Sequence, residues 1–462
     1  MNDQRVLSRT AGLAEARDFR ARHPAIRHFD AFFIDICGRP RGKRCPIEKL
    51  ESLYDEGIQS PQSHFLLDVN GDSSNPLGRG FSDGDPDTTL VPVPGSLVPV
   101  PWSAHPLAQV IVGERPDGRD GSLVDPRQLL RKAAEPLADL GLKPVMAVEL
   151  EFFLFEPKPD AEGRPRIAER ASVGRKVRTD TNSIGELDSL AGFLADVDAF
   201  CRVQGVPATM ISSEMGAGQF EINLNHGDDP LAAADHGVLL RRIVGAAAER
   251  HEMQASFMAK PFLDASGSGM HVHVSLVDRA GRNAFDDGSS IGSALLRQAI
   301  AGLQQTMPDC LALFASNVNA LRRFGPMQFV PLNRHWGYNN RGVAFRVPAG
   351  PSHARRIEHR VAGADANPHL VLAAILAAIL AGIHYGISGG LEPDEPRQTA
   401  GDDAADPGLS FDLETALARL EASPIVARYI DPDYLKVYAT VKRDERGRFL
   451  DFVSAREYDW YL

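Results

Sequence analysis

Cysteine is scarce in this chain of 462 residues: Cys37, Cys45, Cys201 and Cys310 lie far apart and form no CxxC pair. Neither a disulfide framework nor a zinc ribbon is expected from that usage. Long apolar runs are lacking as well. The longest, LVLAAILAAILAGI from Leu370 to Ile383, falls short of the ~20 residues that span a bilayer and reads as a buried helix. The N-terminal MNDQRVLSRTAGLAEARDFR has no apolar core, so no signal peptide, no membrane partner and a cytoplasmic location are expected. Basic charge is also short, with 50 Lys and Arg against 61 Asp and Glu. The resulting net charge of −11 argues against a nucleic-acid partner, which calls for a basic face.

Familiar nucleotide motifs are missing too. No GxxxxGK[ST] occurs, and the SGSG before Met270 lacks dinucleotide-fold spacing. Asp83, Asp85 and Asp87 resemble the start of a calcium loop. Pro86 interrupts them and Pro94 stands where the closing glutamate belongs, so the segment reads as a solvated loop.

What is present is a mixed α+β pattern. Residues 13–22 read as a helix, and HFDAFFIDICGRPRGKRCP as strand, turn and strand. Residues 61–102 are rich in Gly, Pro, Asp and Ser, so a small β-rich N-terminal domain is expected over 1–119 and a second domain over 120–462. Asp125 followed by Pro126 marks a helix start. Further helices are expected at 189–205, 231–256, 290–307 and 367–385, and a surface loop over 392–406.

Chemistry concentrates on strands whose alternation puts reactive side chains on one face. In VMAVELEFFLF, Glu149 and Glu151 share a face of an otherwise apolar strand, which is costly unless a cation lies between them. In QFEINLN, Gln219, Glu221 and Asn223 oppose Phe220, Ile222 and Leu224. In MHVHVSL, His271, His273 and Ser275 oppose Val272 and Val274. In RRIEHRV, Arg356, Glu358 and Arg360 share a face, and in VAFRVP Arg346 stands against Val343, Phe345 and Val347. Taken singly, the Arg346 and Gln219–Asn223 strands also read as solvent-facing, and His271 as a satisfied core histidine. Together, several carboxylates with one imidazole suit a hard divalent ion, Mg²⁺ or Mn²⁺. Arginines around such ions are what phosphoryl transfer requires.

The segments FIDICGRPRGKRCP, VELEFFLF, EMGAGQFEINL, ASFMAKPFLDASGSGMHVHVSL, NVNALRRF, NNRGVAFRVP and RRIEHRVAGADANPHL follow one another in this order. In this the chain resembles the class I glutamine synthetases from about residue 30 to its end, and the γ-glutamylpolyamine (glutamate–putrescine) ligases most of all. The resemblance implies a β-grasp N-terminal domain, a catalytic domain with a curved antiparallel sheet and helices, and a homo-oligomer, a dodecamer of two hexameric rings. It implies ATP as co-substrate, with Glu151, Glu214 and Glu221 on one metal and Glu149, His271 and Glu358 on the other. His273, Ser275, Arg341, Arg346 and Arg356 match ATP contacts, and Gly267, Arg323 and Arg360 the glutamate cradle. Arg323, Arg341 and Asp72 are the expected catalytic groups, Asp72 by reaching into the adjacent subunit. Glutamate would be phosphorylated on its γ-carboxylate and then attacked by an amine.

One departure bears on the amine. Ammonia-using members carry a glutamate in the flap after the arginine matched by Arg323, yet Phe324 to Asn340 contains no Asp or Glu. Phe329 takes the nominal position. With Met327 and Trp336 it would offer apolar surface to an alkyl chain, so a primary amine, putrescine or a longer polyamine, is the expected nucleophile. Ser266 also departs from the family's usual asparagine. An ammonia-using glutamine synthetase and a silent scaffold of the same fold are the alternatives.

Overall fold

The protein is described as a computed structural model covering residues 2–115, 124–171, 180–325, 329–389, 392–398 and 405–462. The boundary expected at Arg119 and the flap residue Met327 lie outside the described residues.

Two sheets organise the chain. The first comprises β1 (His28–Ile34), β2 (Pro40–Pro46), β3 (Ile58–Pro61), β4 (Asp87–Pro92), β5 (Val98–Pro99) and β6 (Leu107–Glu114), with strand order β2-β1-β6-β4-β3 and β5 against β6. The second has β7 (Leu142–Phe155), β8 (Ala208–Ser213), β9 (Gln219–Leu224), β10 (Gln254–Ser256), β11 (Met270–Asp278), β12 (Trp336–Tyr338), β13 (Phe345–Val347) and β14 (Ile357–His359). Its order is β12-β13-β14-β11-β7-β9-β8, antiparallel throughout except at β12–β13, with β10 on β7. Met146, Val148, Leu150 and Phe152 of β7 and Met270, Val272 and Val274 of β11 are fully buried. The alternate residues of both strands form the opposite face.

Helices cover the apolar side. Asp125 caps the helix Pro126–Asp139, its carboxylate accepting from Arg127 N at 2.8 Å, as the Asp-Pro pair predicts. The helix Pro368–Gly389 is apolar all round because it is enclosed; a stretch of 18 residues from Pro368 has the length and hydropathy of a membrane span, but 89% of it is buried inside the protein. It crosses the helix Ala294–Phe314 at two glycines. A Cβ on Gly382 would lie 1.9 Å from Gln298 O, and one on Gly302 2.1 Å from Ala378 O. Gly382→Ala is therefore expected to lower stability by about 3 kcal/mol or more, readable as a drop in the thermal midpoint. An unchanged midpoint would mean the helices separate freely.

Some boundaries differ from expectation. The first helix begins at Asn2 rather than 13. The segment expected as helix to 256 ends at Arg250, where Glu252 turns the chain with φ +58° and β10 pairs antiparallel with β7. No Gly or Pro marks that turn. The next helix starts at Ala294, with Ser293 Oγ accepting from Leu296 N, and runs through Pro308 to Phe314. Residues beyond β14 are tied to those following β1 and β3: Asn367 Nδ2 donates to Asp35 O at 3.0 Å, and Arg448 Nη2 to Asp68 at 2.6 Å.

Candidate active site

Register brings the reactive residues together. His271 faces Glu149 across β11–β7, Glu151 faces Glu221 across β7–β9, His273 faces Glu358 across β11–β14, and Arg346 faces Glu358 across β13–β14. Residues more than a hundred positions apart thus form one polar patch on the sheet.

His271 stands at its centre. Its Nδ1 lies 3.6 Å from Glu149, 4.0 Å from Glu221 and 4.0 Å from Glu358, and its Nε2 3.8 Å from Glu151. Two ligand sets have donor atoms within 4.8 Å of one another: Glu149, His271, Glu358 and Glu151, Glu221, His271. The first is the expected set. The second brings together Glu151 and Glu221 of the other expected set, beside His271. Glu214 follows β8 and still feels the charge of Glu151, so it flanks the cluster.

Neighbours hold the carboxylates in place. Glu151 Oε2 accepts from Gly269 N at 2.8 Å and from Gln219 Nε2 at 3.3 Å, and the same amide reaches Gly267 O at 3.0 Å. Asn223 Nδ2 donates to Glu221 at 3.1 Å. Arg356 Nε donates to His273 Nδ1 at 3.0 Å, which leaves the proton on Nε2 to be donated to Glu149 Oε1 at 2.8 Å. These supporting roles of Gln219 and Asn223 were not read from the sequence, although their shared face with Glu221 was the available signal.

Charge is unevenly matched across the patch. Burial alone would raise Glu149 and Glu358. His271 and His273 instead hold Glu149 well below the usual carboxylate range. Arg360, then the two histidines and Arg346, hold Glu358 down at about 2. Burial and the neighbouring carboxylates push the other side up: Glu214 to about 7, and Glu221 well above its ordinary value through Glu149, Glu151 and Glu214. A carboxylate cluster with this much self-repulsion accepts a divalent cation readily, because the cation stabilises the charged forms. The residues therefore fit a hard metal ion.

A measurable consequence follows from these raised acids. Mg²⁺ binding at pH 7 is expected to release protons, and its affinity to strengthen as pH rises through neutrality, as calorimetry in buffers of different ionisation heat would show. Without metal, Glu214, raised to about 7, favours folding at low pH and loses that contribution as pH climbs through 7, so stabilisation by Mg²⁺ should grow with pH. Binding without proton exchange would contradict the cluster's electrostatics.

The arginines form a second feature. Glu358 accepts from Arg346 Nη1 at 2.7 Å and from Arg360 Nη1. Arg323 is buried, with Nη1 on Val361 O at 3.0 Å. The Nε atoms of Arg323, Arg346 and Arg360 are all buried without a hydrogen-bond partner. Orphaned guanidinium donors beside a metal-type cluster suit phosphate or carboxylate oxygens. Gly267 lies in the same cradle; a Cβ there would meet Ala259 O at 2.7 Å and Arg323 Cγ at 2.8 Å. Ser275 continues the His271–His273 face, and exposed Arg341 is close enough to lower Glu214.

Asp72, Phe329 and Trp336 are the remaining sequence-selected residues. Asp72 is exposed, its carboxylate 3.7 Å from Arg448. Phe329 is open on the flap, 56% exposed with φ +52°. Trp336 is not open surface: it is buried in β12, T-shaped against Tyr338, with Nε1 on Asp394 O at 2.6 Å. The 392–398 stretch thus packs on this strand and corrects the expectation of an apolar Trp336 surface for the amine.

Known proteins share this design. Residues 123–461 match the family model "Glutamine synthetase, catalytic domain". Gamma-glutamylputrescine synthetase PuuA of Escherichia coli (strain K12) is 38% identical over 97% of this chain and 94% of that protein. Glutamate–isopropylamine ligase of a Pseudomonas species is 32% identical over 78% of this chain and 79% of its own. The solved GmaS/ADP complex superposes with a TM-score of 0.80 at 25% identity, covering 98% of this chain and 99% of that one. With the catalytic-domain match spanning most of its length, this chain belongs to the glutamine synthetase family of ATP-dependent ligases.

Proposed function

We propose that the protein joins the γ-carboxylate of glutamate to a primary alkyl amine, with a polyamine such as putrescine as first choice. The observation that carries the choice of amine is Phe329, an exposed apolar side chain on a flap segment without Asp or Glu. Two relatives support it by name, one for putrescine and one for isopropylamine. Bound divalent ions, Mg²⁺ or Mn²⁺, would neutralise ATP's phosphates, one held by Glu149, His271 and Glu358 and the other by Glu151, Glu214 and Glu221.

The chain's own groups then act in order. Arg323, Arg360 and Gly267 orient glutamate, while His273, Ser275, Arg341, Arg346 and Arg356 address the nucleotide. The γ-carboxylate oxygen attacks the γ-phosphorus, ADP leaves, and γ-glutamyl phosphate forms. The amine nitrogen attacks the acyl carbon, phosphate departs with the C–O electron pair, and the amine loses a proton. Arg323 and Arg360 stabilise charge on the transferred phosphoryl group.

The reading extends to assembly as a dodecamer of two hexameric rings, with a β-grasp domain over 1–119 presenting Asp72 to the neighbouring subunit. Exposed Phe452, Trp460 and Tyr461 near the C-terminus support a further subunit contact. The test is ADP release with glutamate and Mg²⁺ against ammonium, putrescine, spermidine, ethanolamine and monoamines. Putrescine or spermidine should be used best. Ammonium as best substrate would overturn the flap reading, and no turnover with any amine would favour a silent scaffold.

A further inference from the structure

Away from the metal cluster, the turn between β1 and β2, the helix Pro230–Arg250 and the helix Pro432–Leu450 enclose a cavity of about 770 Å³. That volume is ample for a small-molecule ligand. None of the six metal-type ligands lines it. In a chain of net charge −11, the charged part of its largely apolar wall is mostly basic: Arg39, Arg241, Arg242, Lys442, Arg446 and Arg448 against Asp365 and Glu445.

Half of these cations are already matched. Arg448 is held by Asp68 at 2.6 Å, Lys442 by Glu445 at 2.9 Å, and Arg242 lies 3.9 Å from Asp30. Among the described residues, Arg39, Arg241 and Arg446 have no carboxylate within ion-pair distance. Arg39 rests on Val69 O alone. Arg241 donates Nη2 to Ala366 O at 2.6 Å, while its buried Nε has no partner. Burial pulls Arg241 down to about 10, so it remains a cation at neutral pH, with the more distant Asp365 as counter-charge. Asp365, on the same lining, accepts from Asn317 Nδ2 at 2.7 Å through Oδ2, while its buried Oδ1 has no partner. A buried guanidinium nitrogen left without an acceptor is costly unless a ligand supplies one.

We propose that this cavity is a second ligand site, separate from the catalytic centre, for a small anion bearing phosphate or carboxylate oxygens. Arg241 is its anchor, since its Nε is buried and has no partner. Arg39 and Arg446, the more accessible cations, complete the cage. Guanidinium forks match the planar pairs of oxygens that both ligand chemistries offer.

The test uses the full-length protein with inorganic phosphate and, separately, succinate as probes. Excess ADP, glutamate and Mg²⁺ keep the catalytic centre filled, and equilibrium dialysis reads the remaining binding. Phosphate, succinate or both should bind, and whichever binds names the natural chemistry. Arg241→Gln should weaken that binding about tenfold or more, the loss of one charge-assisted contact. Arg446→Glu, which breaks no ion pair among the described residues, should do the same with an unchanged thermal midpoint. The absence of binding for both probes, or binding that both variants leave untouched, would overturn the proposal.

Discussion

Glu358→Gln should cut ATP turnover on the order of 10³-fold while the protein remains folded. Glu358 is buried, carries its charge at any working pH, and accepts from Arg346 and Arg360 while facing His271. Glutamine keeps the shape and one acceptor oxygen but removes the negative charge that a metal ion and two arginines share. Alanine at the same position would additionally leave both guanidinium groups unpaired, a loss of roughly 3–5 kcal/mol for a broken buried ion pair. ADP release measured beside a melting curve distinguishes lost chemistry from lost folding. A glutamine variant that is active and stable would mean Glu358 holds no metal.

Phe329→Glu addresses the amine. It places a carboxylate at the flap position where the family's ammonia-using members carry one. The expected outcome is a shift in relative kcat/KM from putrescine towards ammonium of about 10²-fold, the lower range for an added general base. The carboxylate gains attraction for ammonium and loses the apolar surface that would receive an alkyl chain. The exposed side chain and its positive φ are shared by both residues, so the substitution asks nothing new of the backbone. Ammonium use that stays flat while putrescine use persists would show that another element of the site selects the amine.

Much of the site was legible because period-2 strands advertise their faces. Glu149 with Glu151, and His271 with His273, were assigned shared faces from alternation, and the registers place them side by side. What alternation cannot supply is the order of strands, so the central position of His271 among four carboxylates depended on pairings spanning long stretches of chain. The same gap applies to Glu214, which follows β8 at the sheet's margin and reaches the cluster only through the pairing of β8 with β9. Trp336 was misjudged because its burial is caused by Asp394, far along the chain in a segment without regular structure. The helix running through Pro308 defied a local rule because the surrounding core outweighs one missing hydrogen bond.

Glu149 and Glu151 ride on a single continuous strand, Leu142–Phe155. Their separation along it is two peptide units, roughly 6.6 Å, a length set by backbone covalent geometry rather than by any side chain. Substitutions elsewhere can reshape the surroundings, but the ruler between these two carboxylates is the polypeptide itself.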